Sequence, residues 1–209
     1  MFHALGQDTR CLLALIEPGR PVTFLALARL WFVSRGLWLL AAHRLAHHCE
    51  RPRPLRARLP LLAAEALVAL TRPLTIIVNK CEITPETPLE PGVVLSDRGY
   101  IILGARFVGS GTVIDERTTI GMNVRPELKP WIGRDVWIGS HCIVYGDIRI
   151  GDGATILPHT VLTRNVPAGA IVEGNPARLA GNERDHATLR RRHFGMGGKV
   201  PAHVSAESG

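Results

Sequence analysis

The chain has 209 residues, a formal net charge of +7 and a pI near 9.9. With 46% apolar and 21% charged residues it is not a disordered, charge-rich tail protein, and a chain of this size buries roughly 70% of its unfolded surface in one or two domains. Residues 1–80 hold eleven Lys and Arg against four Asp and Glu, while residues 81–181 hold nine against eleven; with 5% aromatics, this argues against a nucleic-acid partner.

Residues 1–80 are expected to form an N-terminal helical region. The start, MFHALGQDTRCLLALIEPGR, has acids and a Pro-Gly break where a secretory signal needs an uninterrupted apolar core. Residues 22–48 are predicted as one helix: Arg29, Gly36, His43 and His47 recur at about seven-residue intervals and leave a wide apolar face with Trp31 and Trp38. RPRPLRARLP is a basic connector, and a second helix is predicted over Leu61–Leu70, ending before Pro73. The plain role for these helices is a cap on the following domain. The other is peripheral contact with an anionic membrane surface through Arg51, Arg53, Arg56 and Arg58. Neither apolar run is a clean span, since Arg29 and Arg35 interrupt one and Glu65, Arg72 and Pro73 the other. Cys11, Cys49, Cys81 and Cys142 lack the spacing of a zinc or redox motif and read as free thiols in a reducing compartment.

From about Ile83 a six-residue period replaces the helical one. Ile102, Val108, Ile114, Ile120, Pro126, Ile132, Ile138, Val144, Ile150, Ile156 and Leu162 fall on it, and only Pro126 is not branched and aliphatic. Glycine follows at 109, 121, 133, 139 and 151. Small or branched residues often stand two places ahead, as at Thr112, Thr118, Val136, Ala154 and Thr160. One repeat cannot bury its apolar side alone, so several must stack. The fold class is mainly β: a parallel β-helix over residues 81–181, preceded by the helical region and followed by a basic tail, 182–209, with a short helical stretch around His186–Arg192.

In this repeat, and in the closing stretch NVPAGAIVEGNPARLAG, the chain resembles the hexapeptide-repeat acyltransferases, most closely their serine O-acetyltransferase branch. The resemblance implies a left-handed β-helix shaped as a three-sided prism and assembled as a homotrimer. It implies acetyl-CoA as cosubstrate, lying in the groove between neighbouring prisms. Arg164 matches the basic residue that the family places near the nucleotide phosphates. The turn Gly139-Ser140 and the backbone around Ala154 and Pro158 would flank the CoA arm, and Arg178 would be a phosphate contact or part of a structural pair.

Acyl transfer to a hydroxyl needs a base, donors for the tetrahedral oxyanion and a groove for the donor. The branch uses an Asp-His pair ahead of the regular ladder and a second His in a later loop. In PGVVLSDRGYIILG the first His position falls on Ser96 by ladder phase, or on Asp97 counted from Gly104. In MNVRPELKPWIG the second falls on Lys129, so neither expected imidazole is present. The candidate bases are Asp97 if burial raises its pKa, Lys129 if burial lowers its own, and His141. His141 and His159 stand eighteen residues apart and are expected to stack on one prism edge, beside Asn123; solvent-facing turn residues are the plain alternative. With only these two histidines inside the prism, no metal ion is expected. The leading expectation is a cytoplasmic, acetyl-CoA-dependent O-acyltransferase acting on a small molecule or sugar intermediate. The other is a noncatalytic scaffold or partner subunit of an active homologue.

Overall fold

A computed structural model describes residues 2–17, 21–50, 80–121 and 125–182. From Glu82 onward the chain repeats one unit, two extended residues and a tight turn. Successive extended residues point to opposite faces, so one side chain of each pair points inward and the other outward. Three stacks of parallel strands result. Sheet A holds β1 (Glu82–Ile83), β3 (Ile102–Leu103), β6 (Thr119–Ile120), β9 (Ile143–Val144) and β12 (Val161–Leu162). Sheet B holds β4 (Phe107–Val108), β7 (Trp131–Ile132) and β10 (Arg149–Ile150), and bridges through Leu89 and Val166 extend it. Sheet C holds β2 (Val94–Leu95), β5 (Val113–Ile114), β8 (Trp137–Ile138), β11 (Thr155–Ile156) and β13 (Ala170–Glu173), and closes with the antiparallel β14 (Arg178–Asn182).

The core is the stack of inward residues. Leu103, Ile120, Val144 and Leu162 line one side, Val108, Ile132 and Ile150 the second, and Leu95, Ile114, Ile138 and Ile156 the third; none is more than 2% exposed. Each such side chain contributes about 1.5–3 kcal/mol on burial. The corner residues Thr112, Thr118, Val136, Ala154 and Thr160 are fully buried as well, because only small or branched side chains fit where the backbone turns.

Two members of the expected ladder are corrected. Ile102 points outward and is 44% exposed, and its neighbour Leu103 takes the inward place, so the first full coil steps only five residues from Leu103 to Val108. Pro126 is not in the ladder either: it opens a 3-10 turn, Pro126–Leu128, in the connection between β6 and β7. The register shows why the period survived. Ile120 pairs with Val144, twenty-four residues on, whereas Val144 pairs with Leu162, eighteen residues on. The loop inserts one whole repeat length, so the count in sixes runs through it undisturbed.

The helical region also differs from expectation. An additional helix, α1 (Phe2–Ile16), precedes it, and the single helix over 22–48 is two: α2 (Phe24–Val33) and α3 (Arg35–Glu50), bent by 88°. Ser34 makes the break. Its backbone is extended, and its hydroxyl accepts the Leu37 N–H at 3.2 Å as the N-cap of α3. Thr23 caps α2 in the same way, accepting the Ala26 N–H at 3.3 Å. Leu12 and Leu37 pack on Val94, Val113 and Trp137, so α1 and α3 cover the outer face of sheet C.

Two residues of the predicted polar stripe, His43 and His47, and their neighbour Arg44 have a structural role. A solenoid's first coil has no neighbour on one side, and its carbonyls need donors from elsewhere. His43 Nε2 meets Thr87 O at 3.1 Å, and His47 Nδ1 meets Pro85 O at 2.8 Å. The Arg44 guanidinium donates to Leu89 O at 3.1 Å and Glu90 O at 3.0 Å. Arg44 also forms a two-point ion pair with the buried Asp8, at 2.7 and 2.9 Å, and Asp8 accepts the Gly92 N–H at 2.7 Å. The cap is thereby fixed to the solenoid. The predicted helices over 61–70 and 186–192, and the cluster Arg51, Arg53, Arg56 and Arg58, lie outside the described residues.

Candidate functional site

The turns stack into three edges. The edge between sheets C and A carries Asp97–Tyr100, Glu116–Arg117, Ser140–His141 and Pro158–His159. Its backbone is left-handed at Tyr100 (φ 61°), Arg117 (φ 55°), His141 (φ 60°) and His159 (φ 64°). Such a conformation costs an ordinary residue about 1–2 kcal/mol.

His141 and His159 stack as their spacing predicts, with ring centroids 4.7 Å apart and planes 19° from parallel. Both are exposed. Backbone bonds set the stack: His141 N donates to Glu116 O at 3.1 Å, and His159 N donates to Ser140 O at 2.9 Å. The inserted loop shifts the neighbour on the other side, which is Arg117 rather than Asn123; Asn123 lies outside the described residues. Arg117 in turn stands 5.0 Å over the Tyr100 ring, and Lys80 Nζ lies 5.1 Å from the same ring. Lys80, Tyr100, Arg117, His141 and His159 thus form a column of basic and aromatic side chains along the edge.

Asp97 lies on this edge, but its carboxylate is engaged. Oδ1 accepts the Ser34 hydroxyl and the Gly36 N–H, each at 2.7 Å, so the Asp97 carboxylate caps the N-terminus of α3. The approach requires glycine at 36: a Cβ there would lie 2.2 Å from Leu95 O. Beside it is a pair that the sequence reading missed. Ser96 Oγ donates to Glu116 Oε2 at 3.0 Å, and Arg98 meets Glu116 Oε1 at 3.1 Å. Burial opposes the Glu116 charge. Hydrogen bonds from its own backbone, Ser96 and Arg98 outweigh this and hold the carboxyl below its usual value. No spacing motif marks this pair; coil register brings it together.

Lys129 is not on this edge. It sits buried in the loop at the A–B edge, with Nζ 3.8 Å from Glu86 Oε2. Within one chain the three candidate bases are therefore not a single cluster. The expected cofactor positions also divide. Gly139 and Ser140 form the turn leading into His141. Pro158, His159 and Arg178 meet in a groove of about 500 Å³ that Glu173, Gly174, Asn175 and Pro176 complete. Ala154 is fully buried at the B–C corner, where its N–H donates to Gly151 O at 3.3 Å and its C=O accepts the Trp137 N–H at 3.0 Å. Arg164 is exposed at the A–B edge and does not line the groove. A second groove of about 280 Å³ does lie there, lined by Arg106, Trp131, Asp147, Ile148, Arg149 and Asn165. Arg149 stands 4.2 Å over Trp131, whose ring stacks on Phe107 at 5.3 Å.

The family described as bacterial transferase hexapeptide (six repeats) matches residues 129–164. A chloramphenicol acetyltransferase of Agrobacterium fabrum (strain C58 / ATCC 33970) is 51% identical over 47 residues, which span 22% of this chain and 22% of that relative. Serine acetyltransferase from Vibrio cholerae O1 biovar El Tor N16961 superposes with a TM-score of 0.73 over 93% of this chain and 69% of that one, at 21% identity. Serine acetyltransferase from Brucella abortus strain S19, in complex with coenzyme A, gives 0.68 over 87% and 68%, also at 21% identity. These likenesses establish the fold, a left-handed parallel β-helix with N-terminal helices.

Proposed function

We propose that this hexapeptide-repeat protein, built on the left-handed β-helix of the serine acetyltransferases, transfers an acyl group from acyl-CoA, with acetyl as the expected group, to a hydroxyl of a small molecule or sugar intermediate. The observation that carries the reading is the pair of stacked imidazoles, His141 and His159, held at left-handed corners, with His159 lining a groove that Arg178 also lines. The acetyltransferase relative and the coenzyme A complex of a structural neighbour support the choice of donor.

In this reading His141 is the base. Its imidazole takes the acceptor hydroxyl proton as the oxygen attacks the thioester carbonyl. The tetrahedral intermediate collapses with cleavage of the C–S bond, and the imidazolium returns the proton to the departing CoA thiolate. Asp97 is a positioning residue that holds α3 against the edge. Arg178, and Arg164 from a neighbouring subunit, take the phosphates of CoA, and Gly139, Ser140 and Pro158 flank its arm. The homotrimer this requires would form on sheet A, whose outer face exposes Ile102 and Ile143 while helices cover sheet C. Acyl-CoA as donor places the chemistry on the cytoplasmic side.

A noncatalytic scaffold is the second reading. It is favoured by the engagement of Asp97 with Ser34 and Gly36 and by the burial of Lys129 beside Glu86. One assay separates the two: thiol release from acetyl-CoA over a panel of hydroxyl and amino acceptors, for the wild type and for His141→Ala, Asp97→Ala and Lys129→Ala. Turnover lost in His141→Ala supports the enzyme and its base. CoA binding with no turnover on any acceptor supports the scaffold.

A further inference from the structure

The cap covers sheet C but leaves one surface of its own bare. On α2, Phe24 is 84% exposed, Leu25 80%, Phe32 86% and Val33 69%. Trp38, past the bend, and Val22, ahead of the helix, extend the surface. Leu25, Arg29, Phe32 and Val33 share one face by their i, i+4 and i, i+3 spacing, and Arg35 and Trp38 continue it at the start of α3. Among the described residues no single helix is long and apolar enough to cross a membrane. The pair α2 and α3 has the composition but is bent by 88°. The bend is fixed, because Ser34 and Gly36 are tied to Asp97 and the inner side of α3 is buried through Leu37, Leu39 and Leu40. The surface of α2 is therefore presented sideways, not threaded.

Charge decides what fits it. No Asp or Glu occurs between Glu17 and Glu50, while Arg29 and Arg35 stand exposed on the apolar surface. A second copy packed face to face would set these guanidiniums against each other with no acid between them, which opposes association. An anionic bilayer supplies the missing negative charge at its headgroups and accepts Phe, Leu, Val and Trp just below them. We propose that α2 is an interfacial membrane anchor, lying in the plane of an anionic leaflet with Phe24, Leu25, Phe32, Val33 and Trp38 inserted and Arg29 and Arg35 on lipid phosphates. The anchor does not depend on the acyl-transfer reading, and its surface is remote from the cluster Arg51–Arg58 in sequence.

Sedimentation of the full chain with phosphatidylcholine vesicles, with and without phosphatidylglycerol, tests this. Wild-type protein should pellet with the anionic vesicles. Phe24→Ser with Phe32→Ser should weaken binding at least about tenfold, and Arg29→Gln with Arg35→Gln about thirtyfold, on anionic vesicles alone. All four side chains are exposed, so circular dichroism and thiol release should match wild type. Failure of the wild type to bind anionic vesicles overturns the anchor. So does equal binding by the double Phe variant, or a loss of solution mass in that variant, which would make a second copy the occupant.

Discussion

Two edges of the prism adopt the same backbone conformation with different residues. At the B–C edge the left-handed positions are Gly92, Gly111, Asp135, Gly153 and Gly169. At the C–A edge they include Tyr100, Arg117, His141 and His159. Glycine takes this conformation without strain, so four of the five corners of the first edge turn the chain at no such cost. The second edge carries about 1–2 kcal/mol of strain at each side chain, which the surrounding ladder of hydrogen bonds sustains. The B–C edge has its own charges, but they serve the turns: Glu90 accepts from Arg134 Nε and Nη2, each at 2.9 Å, and from the Ser110 N–H at 2.9 Å. These bonds hold the Glu90 carboxyl down to about 2.

The contrast can be broken most strongly by activity. His141→Ala should lower turnover by about 10²–10⁴-fold, the usual contribution of a positioned base, whereas Asp135→Ala on the other edge should leave it unchanged. Equal effects of the two would erase the distinction. Next in size is the cap, whose acid response belongs to neither edge. Burial, followed by the neighbouring His47, lowers the His43 pKa from 6.5 to about 4. Its neutral form is favoured in the folded state, so the contribution is complete above pH 6.5 and is lost as the pH falls from 6.5 toward 4. About 3 kcal/mol of stability should disappear over that window. Chemical denaturation at several pH values should show it, and a flat profile would deny it.

Asp97→Ala tests positioning against catalysis. Loss of its two hydrogen bonds, from Ser34 and Gly36, should reduce stability by about 2–3 kcal/mol in denaturant melts. Its turnover per folded molecule should fall far less than that of His141→Ala. The smallest expected effect bears most directly on the two edges. His141→Gly should be about 1 kcal/mol more stable than His141→Ala, because glycine relieves the left-handed corner, and Gly153→Ala should lose a similar amount.

The solenoid was readable because its core repeats: Ile132, Ile138, Val144, Ile150, Ile156 and Leu162 each stand six apart and all point inward. Counting failed where length and phase part company, at Ile102, where the coil is short, and at Pro126, where an inserted loop has the length of one repeat. The stacked histidines were foreseen because their spacing equals one regular coil. The Ser96–Glu116–Arg98 group was not, since it joins coils of different length. The role of Asp97 was hidden for another reason: its partners, Ser34 and Gly36, are more than sixty residues away on a helix expected to be unbroken.

If His141 is the base, donor and acceptor meet at the C–A edge. Titration of coenzyme A followed by the histidine ring resonances tests it most directly. The signals of His141 and His159 should shift together and saturate, with Arg178→Ala weakening the effect, while the Gly111 and Gly153 amides of the B–C edge stay in place. Saturable shifts at Gly111 and Gly153, with His141 and His159 unmoved, would contradict the account.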